Sequence, residues 1–70
     1  MARRTSPYAA SIAHTVPELD PRHVEAFMRV QLSTLDHLSP EAFRDEALTA
    51  AECVRADPGL ADRLAETYGL

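Results

Sequence analysis

Cys53 and three histidines, His14, His23 and His37, are the residues of this 70-residue chain with the greatest potential for catalysis or metal binding. A cysteine nucleophile needs a neighbouring base, which a histidine and Asp36 would supply only if the fold brought them to Cys53. Cys53 lies at the edge of an apolar helical face, where a free cysteine is typical of core packing. We therefore predict no catalytic residues and no enzymatic activity.

The spacing of the possible ligands also disfavours a cofactor. The chain contains no His-x₃-His and no Cys-x₂-Cys pattern, so the usual zinc spacings are absent. Gly59 and Gly69 are the only glycines, and both fall at predicted helix ends, so no glycine-rich loop is available for a phosphate. A chain this short is also not expected to form a pocket of several hundred cubic ångströms, as small-molecule sites require. We predict no metal, no cofactor and no small-molecule substrate.

The charge distribution disfavours nucleic acid as a partner. The chain has seven arginines and eleven acidic residues, a net charge of −4, and residues 20–70 carry five arginines against ten acids, a net charge of −5. Binding to phosphates requires a basic surface. An acidic domain either keeps itself soluble or attracts a basic partner, and the sequence leaves both open. No apolar run approaches the ~20 residues of a membrane span, and the single cysteine is typical of the reducing cytoplasm.

Three pairs of a capping residue and a proline organise the chain, at Asp20-Pro21, Ser39-Pro40 and Asp57-Pro58. Asp and Ser accept hydrogen bonds from free amides of the first helical turn, and proline at the next position has no amide to leave unsatisfied. The pattern predicts helices over 20–38, 39–57 and 58–68, joined by one or two residues, with Gly69 ending the last. We expect an all-α protein, a small three-helix bundle with short proline-initiated connections and an N-terminal arm.

The first nineteen residues are predicted to be an arm, flexible or loosely docked, that precedes a three-helix domain over residues 20–70. Pro7 and Pro17 interrupt helical structure there. Between them Tyr8, Ile12 and Val16 recur every fourth residue, which allows a short helix that lies across a neighbour.

The first predicted helix carries an apolar arc that covers about half of its circumference or more, which is wider than packing on one neighbour requires. Glu25 and Arg29 are placed on its opposite, solvated side. The second helix has a face of small residues, with Leu48 among its charged positions. The arc consists of Val24, Phe27, Met28, Leu32, Leu35 and Leu38, with Val30 and Thr34 at its edge.

The width of this arc predicts a small protein–protein interaction module without catalysis, an adaptor, regulator or inhibitor. It is expected to form a homodimer or to dock on a larger protein. Gln31, in the middle of the arc, either bonds a backbone group at the rim or sets the register of an interface. The candidate interface residues are Phe27, Val30, Gln31, Thr34 and Leu48.

A regulator linked to nucleic acid is the alternative interpretation. The second helix, the turn at Asp57 and the third helix have the lengths of a weak helix-turn-helix. The third helix would present Asp62, Arg63, Glu66 and Thr67, which are poorly suited to a phosphate-lined groove. Such a regulator would either bind DNA weakly itself or place its acidic face in the basic site of a protein that handles nucleic acid.

Overall fold

Four helices form the fold within residues 6–70, the part of the chain that the computed structural model describes. All regular structure in this range is helical, so the all-α prediction is confirmed, but the predicted count of three is one too few. None of the described helices has the length and apolar character needed to cross a membrane. The helices are α1 (Ala9–Thr15), α2 (Pro21–Gln31), α3 (Pro40–Ala56) and α4 (Pro58–Thr67).

The predicted helix starts are confirmed at all three cap–proline pairs. The Asp20 side chain accepts a hydrogen bond from the Arg22 amide at 2.9 Å. Ser39 Oγ accepts from the Ala42 amide at 3.1 Å, and Asp57 Oδ1 accepts from the Leu60 amide at 3.1 Å. Each side chain therefore satisfies one of the amides that a helix leaves free at its N-terminus.

The predicted first helix, residues 20–38, is wrong in its C-terminal third, because α2 ends at Gln31. Leu32 adopts an extended conformation, with φ −126° and ψ 128°. Further along, Thr34 Oγ1 accepts a hydrogen bond from the Asp36 amide at 3.2 Å. Threonine and serine side chains compete in this way with helical bonding. The connection between α2 and α3 therefore spans residues 32–39 rather than one or two residues, whereas Asp57 alone joins α3 to α4.

Helix α1 is the fourth helix, which the predicted three-helix bundle did not include. Seven residues are too few to be helical alone in water, so this helix depends on tertiary burial. Ile12 is fully buried and Val16 is 1% exposed, and α1 packs against both α2 and α3. The four-residue spacing of Tyr8, Ile12 and Val16 correctly indicated a stripe that lies across neighbouring helices.

Helix α2 lies at the centre of the fold, where it packs against α1, α3 and α4. The small side chains of four buried alanines on α3 and α4, each 0–1% exposed, let the helix axes approach closely. These alanines are Ala47, Ala51, Ala61 and Ala65. Three residues of the apolar arc, Val24, Met28 and Leu35, are buried in the core. Three neighbours thus cover most of the arc inside one chain, whereas the sequence indicated two.

The placement of Glu25 on the solvated side of α2 is wrong. Its side chain is 1% exposed, and its Oε2 accepts a hydrogen bond from Arg29 Nε at 2.9 Å. A helix packed on three sides buries positions that a two-sided helix would leave in water. The ion pair with Arg29 compensates the buried carboxylate, as a buried charge requires.

Candidate functional site

A groove of about 670 Å³ opens between α1, the 32–39 connection and the first turns of α3. Its volume falls in the range of ligand and side-chain binding sites. The expectation that a chain this short has no such pocket is therefore wrong. The groove forms at the surface, where a short helix meets a non-helical connection, so the small core does not limit it. It is lined by Tyr8, Ala10, Ser11, His14, Thr15, Leu35, Asp36, Leu38, Pro40, Phe43 and Arg44.

Two of the side chains that line the groove are aromatic, and their rings contact each other. The ring centroids of Tyr8 and Phe43 lie 5.8 Å apart, with 30° between the ring planes. Both rings are partly buried against the core, next to the partly buried Leu38. Aromatic side chains that pack in this way form a rigid apolar surface, which can contact an apolar side chain of a partner.

The Tyr8 hydroxyl donates a hydrogen bond to the Asp36 carboxylate, which ties the residue before α1 to the connection after α2. This hydrogen bond is the main reason why the pKa of Tyr8 is raised above its ordinary value of 10.0; partial burial and the negative charge of Asp36 act in the same direction. Among residues 6–70, Asp36 is the one carboxylate that lines the groove, and this bond engages it.

Arg44, the cationic side chain of the groove, is exposed. Four ion pairs form among residues 6–70, and none of them includes Arg44. The guanidinium is therefore available to an incoming carboxylate at the edge of an apolar groove. This arrangement can bind an apolar group that carries negative charge beside it.

The exposed face of α3 carries a different pattern beside the groove. Glu41, Asp45, Leu48 and Glu52 are all exposed and follow one another at spacings of four, three and four. These spacings place them on one face of the helix. Leu48 is 41% exposed between the carboxylates, and Arg44 precedes it by one turn. We call these four residues the α3 stripe.

The five interface residues predicted from the sequence divide between two regions, and none of them lines the groove. Phe27 is partly buried against the core. Val30, 52% exposed, and Gln31, the last residue of α2, are exposed, as is Thr34 just beyond them. The fifth, Leu48, belongs to the α3 stripe. Whether these residues form an interface stays a prediction.

Sequence reasoning missed Asp36 and Arg44 as groove residues. The predicted helix over residues 20–38 includes Asp36, but α2 ends at Gln31, and nothing in the sequence singled out Arg44. The spacing of Tyr8 with Ile12 was the one available signal that α1 covers a neighbour. No pattern local to residues 32–39 indicates that this segment meets α1, since their contact depends on the whole fold.

Among the residues considered for catalysis and DNA binding, His14 and Asp36 line the groove and the others do not. Cys53 is half-buried in α3, and His23 Nε2 lies 3.4 Å from Asp62 Oδ1. Within residues 6–70 no three His, Cys, Asp or Glu side chains are placed to share a metal ion. On α4 the predicted recognition residues Asp62, Arg63, Glu66 and Thr67 are all exposed.

No protein-family model, curated protein or solved structure matches this chain. Function is therefore inferred from the geometry and the charges of residues 6–70.

Proposed function

We propose that this protein is a small protein–protein interaction module, an adaptor, regulator or inhibitor that has no catalytic activity of its own and self-associates. The single cysteine, Cys53, supports a site of action in a reducing compartment such as the cytoplasm.

The open groove beside α1 is the observation that carries this proposal. Its lining includes the partly buried rings of Tyr8 and Phe43, on a chain of only 70 residues. An apolar groove with a few polar groups at its edge is typical of binding sites. Half-exposed apolar side chains at Val30 and Leu48 add to the surface that a protein partner can cover. Such anchors in a polar surround are typical of protein interfaces.

A second candidate, an acidic inhibitor of a protein that handles nucleic acid, is favoured by the α3 stripe. Three of its four members are carboxylates, and none of the three forms an ion pair within the described residues. An unpaired row of carboxylates resembles a phosphate backbone in charge and would attract a basic site. This candidate predicts binding to basic proteins and no binding to duplex DNA, which an electrophoretic mobility shift at low salt would check.

Sedimentation equilibrium of the intact chain from micromolar to millimolar concentration tests the proposed self-association. The expected result is a mass that rises with concentration from one chain to two. A mass of one chain throughout the range would overturn it.

The Val30→Glu variant probes the surface that the sequence indicated. Because Val30 is 52% exposed, the charge should leave the helical circular dichroism spectrum intact. A loss of association would assign the interface to the end of α2. Unchanged association would place the interface elsewhere on the chain.

A further inference from the structure

We infer that residues 6–18 form a strap that opens as one unit while α2, α3 and α4 stay folded, so that the groove exists only while the strap is docked. The strap consists of α1, residues 6–8 before it and residues 16–18 after it. This inference goes beyond the proposed function, because it concerns what assembles the groove and not what binds there.

Helix α1 has less local stabilisation than the other helices of residues 6–70. Each of α2, α3 and α4 begins with a capping side chain and a proline, whereas Tyr8, the N-cap residue of α1, makes no side-chain capping bond. With seven residues, α1 is also shorter than the other three, which have 10 to 17. A helix this short is not stable alone in water, so an undocked α1 is expected to lose its helical structure.

The packing places α1 outside a group of three helices that contact one another. Each of α2, α3 and α4 packs against the other two, while α1 packs on α2 and α3 and not on α4. Departure of α1 therefore breaks no contact among the remaining helices. Within residues 6–18 only Ile12 and Val16 are buried, so opening exposes much less apolar surface than unfolding of the whole chain. A peripheral segment of this kind opens at a lower free energy than the fold as a whole.

Two side-chain contacts fasten the ends of the strap, and both lie at the surface. Near its start the Tyr8 hydroxyl donates to the Asp36 carboxylate. At its end the Glu18 carboxylate accepts a hydrogen bond from Arg55 Nη2 at 2.5 Å. Water competes for exposed contacts of this kind, so each adds little to stability. These two latches favour the docked strap, but they are too weak to make it unfold together with α2, α3 and α4.

The connection to α2 provides a hinge at the end of the strap. Leu19 is partly buried against the core, so it marks the point at which the strap ends. Its amide donates to the Val16 carbonyl at 3.4 Å, which is long for a backbone hydrogen bond. Pro17, which lies between them, has no amide to donate. The strap is therefore separated from α2 by a turn that is held weakly.

Opening of the strap removes one side of the groove. Five lining residues belong to the strap, and the others belong to the 32–39 connection and to α3. A molecule that contacts both sides binds only the closed form, so it shifts the strap toward the docked state. The apparent affinity of the groove therefore falls as the docked fraction of the chains falls. The five strap residues are Tyr8, Ala10, Ser11, His14 and Thr15.

Hydrogen exchange of single backbone amides, measured by NMR on the intact chain, tests whether the strap opens independently. The Ile12 amide donates to the Tyr8 carbonyl at 3.0 Å, and the Val16 amide donates to the Ile12 carbonyl at 2.8 Å. Both should exchange at least about tenfold faster than the amide of the buried Ala51 in the middle of α3, after correction for their intrinsic rates. Equal protection of the three amides would overturn the inference, because the strap would then open only when the chain unfolds.

Asp57→Ala separates local opening from global unfolding. The Asp57 side chain caps α4, which does not pack against α1. Loss of the cap should speed exchange at Ala51 by about fivefold, the effect of one N-cap on global stability, and should leave the Ile12 and Val16 amides unchanged. An equal acceleration at all three amides would contradict independent opening.

Loss of a latch should act on the strap amides. Tyr8→Phe should speed exchange at Ile12 and Val16 by at least about threefold, because the hydrogen bond to Asp36 is lost. Tyr68→Phe is the matched control, since it makes the same change at an exposed tyrosine beyond α4, and it should leave these amides unchanged. Exchange that stays the same in Tyr8→Phe would refute the role of this contact as a latch.

Ile12→Asp should hold the strap open and so tests the groove. A charge at a fully buried position should prevent the docking of α1, while Ala51 stays protected from exchange. The nuclear Overhauser effect between the Tyr8 and Phe43 rings, whose centroids are 5.8 Å apart in the docked form, should then be lost. Ala10→Asp, at an exposed position of the same helix, is the control and should retain it. Loss of protection at Ala51 in the Ile12→Asp chain would overturn the inference, since α2, α3 and α4 would then need the strap to fold.

These outcomes are independent of the proposed self-association, because exchange is measured at a concentration at which sedimentation shows a single chain. A strap that opens only with the whole chain would leave self-association standing. A chain that stays monomeric to millimolar concentration would refute self-association and leave the strap standing.

Discussion

The Tyr8 hydroxyl and the Asp36 carboxylate, 28 positions apart in sequence, are joined by a hydrogen bond that spans the groove between α1 and the 32–39 connection. Tyr8 also stacks near Phe43 of α3. One side chain thus links three segments of the fold, and the shape of the groove depends on it.

The ionisation of Tyr8 should report this link directly. The bond to Asp36 raises the pKa of Tyr8 above 10.0, so folding favours the protonated form of this side chain. In a Tyr68→Phe background, where Tyr8 is the only tyrosine, ultraviolet absorbance should show ionisation above pH 10. Asp36→Asn should move the pKa back toward the ordinary value, because both the charged acceptor and its negative field are lost. A titration unaffected by Asp36→Asn would show that the bond does not form in solution.

The same shift makes stability depend on pH in a defined direction. A raised folded-state pKa means that the contribution of Tyr8 is fully present below pH 10 and is lost as the pH rises through the folded-state value. The urea midpoint of the unmodified chain should therefore fall over this range more steeply than that of Tyr8→Phe. Equal slopes for the two chains would contradict the prediction.

The helix starts were predictable from sequence because their cause is local. At Ser39-Pro40 the capping side chain and the amide that it satisfies are three residues apart, so a short window contains the whole interaction. The end of α2 was not predictable in this way. The apolar spacing of Leu32, Leu35 and Leu38 fits a helix well, yet Leu32 is extended and Leu35 reaches the core from a non-helical connection. The apolar spacing alone therefore did not show where the helix ends.

Most of the candidate site could not be predicted from the sequence, because it depends on how the helices pack. The groove exists because α1, a helix too short to be stable alone, is held on α2 and α3 by Ile12 and Val16. Its charges come from residues whose positions are set by that docking, Asp36 and Arg44. Glu25 shows the same limit: its burial follows from the number of helices around α2, which no local pattern encodes.

Asp57 both ends α3 and caps α4. Its amide donates to the Cys53 carbonyl at 3.0 Å at the end of α3, and its Oδ1 accepts from the Leu60 amide at the start of α4. Asp57→Ala should lower the free energy of unfolding by about 1 kcal/mol, the usual effect of losing an N-cap. Asp57→Ser should retain most of the stability in urea denaturation, since serine also caps. Equal losses in both variants would indicate that the cap contributes nothing.

The buried Glu25 should depend on Arg29. Arg29→Met leaves a carboxylate without its partner at a position 1% exposed, and should lower the free energy of unfolding by about 1–3 kcal/mol. This loss is smaller than the ~3–5 kcal/mol expected for a fully buried pair, because the Arg29 side chain is 37% exposed and its charge is screened by water. Adding Glu25→Gln to Arg29→Met should recover part of the loss, because the buried group is then neutral. A double-mutant cycle measured by denaturation checks this; strictly additive losses would contradict it.

The close approach of the helices should make the buried alanines intolerant of larger side chains. Ala51 of α3 is fully buried, so Ala51→Leu must displace neighbours in a packed core and should lower the free energy of unfolding by about 1–3 kcal/mol. Ala56→Leu, at the exposed last residue of the same helix, is the control and should change it by less than about 0.5 kcal/mol. The helical content of both variants should match the unmodified chain in circular dichroism. If Ala51→Leu proved as stable as Ala56→Leu, the helices around Ala51 would have to be packed less closely than the buried alanines indicate.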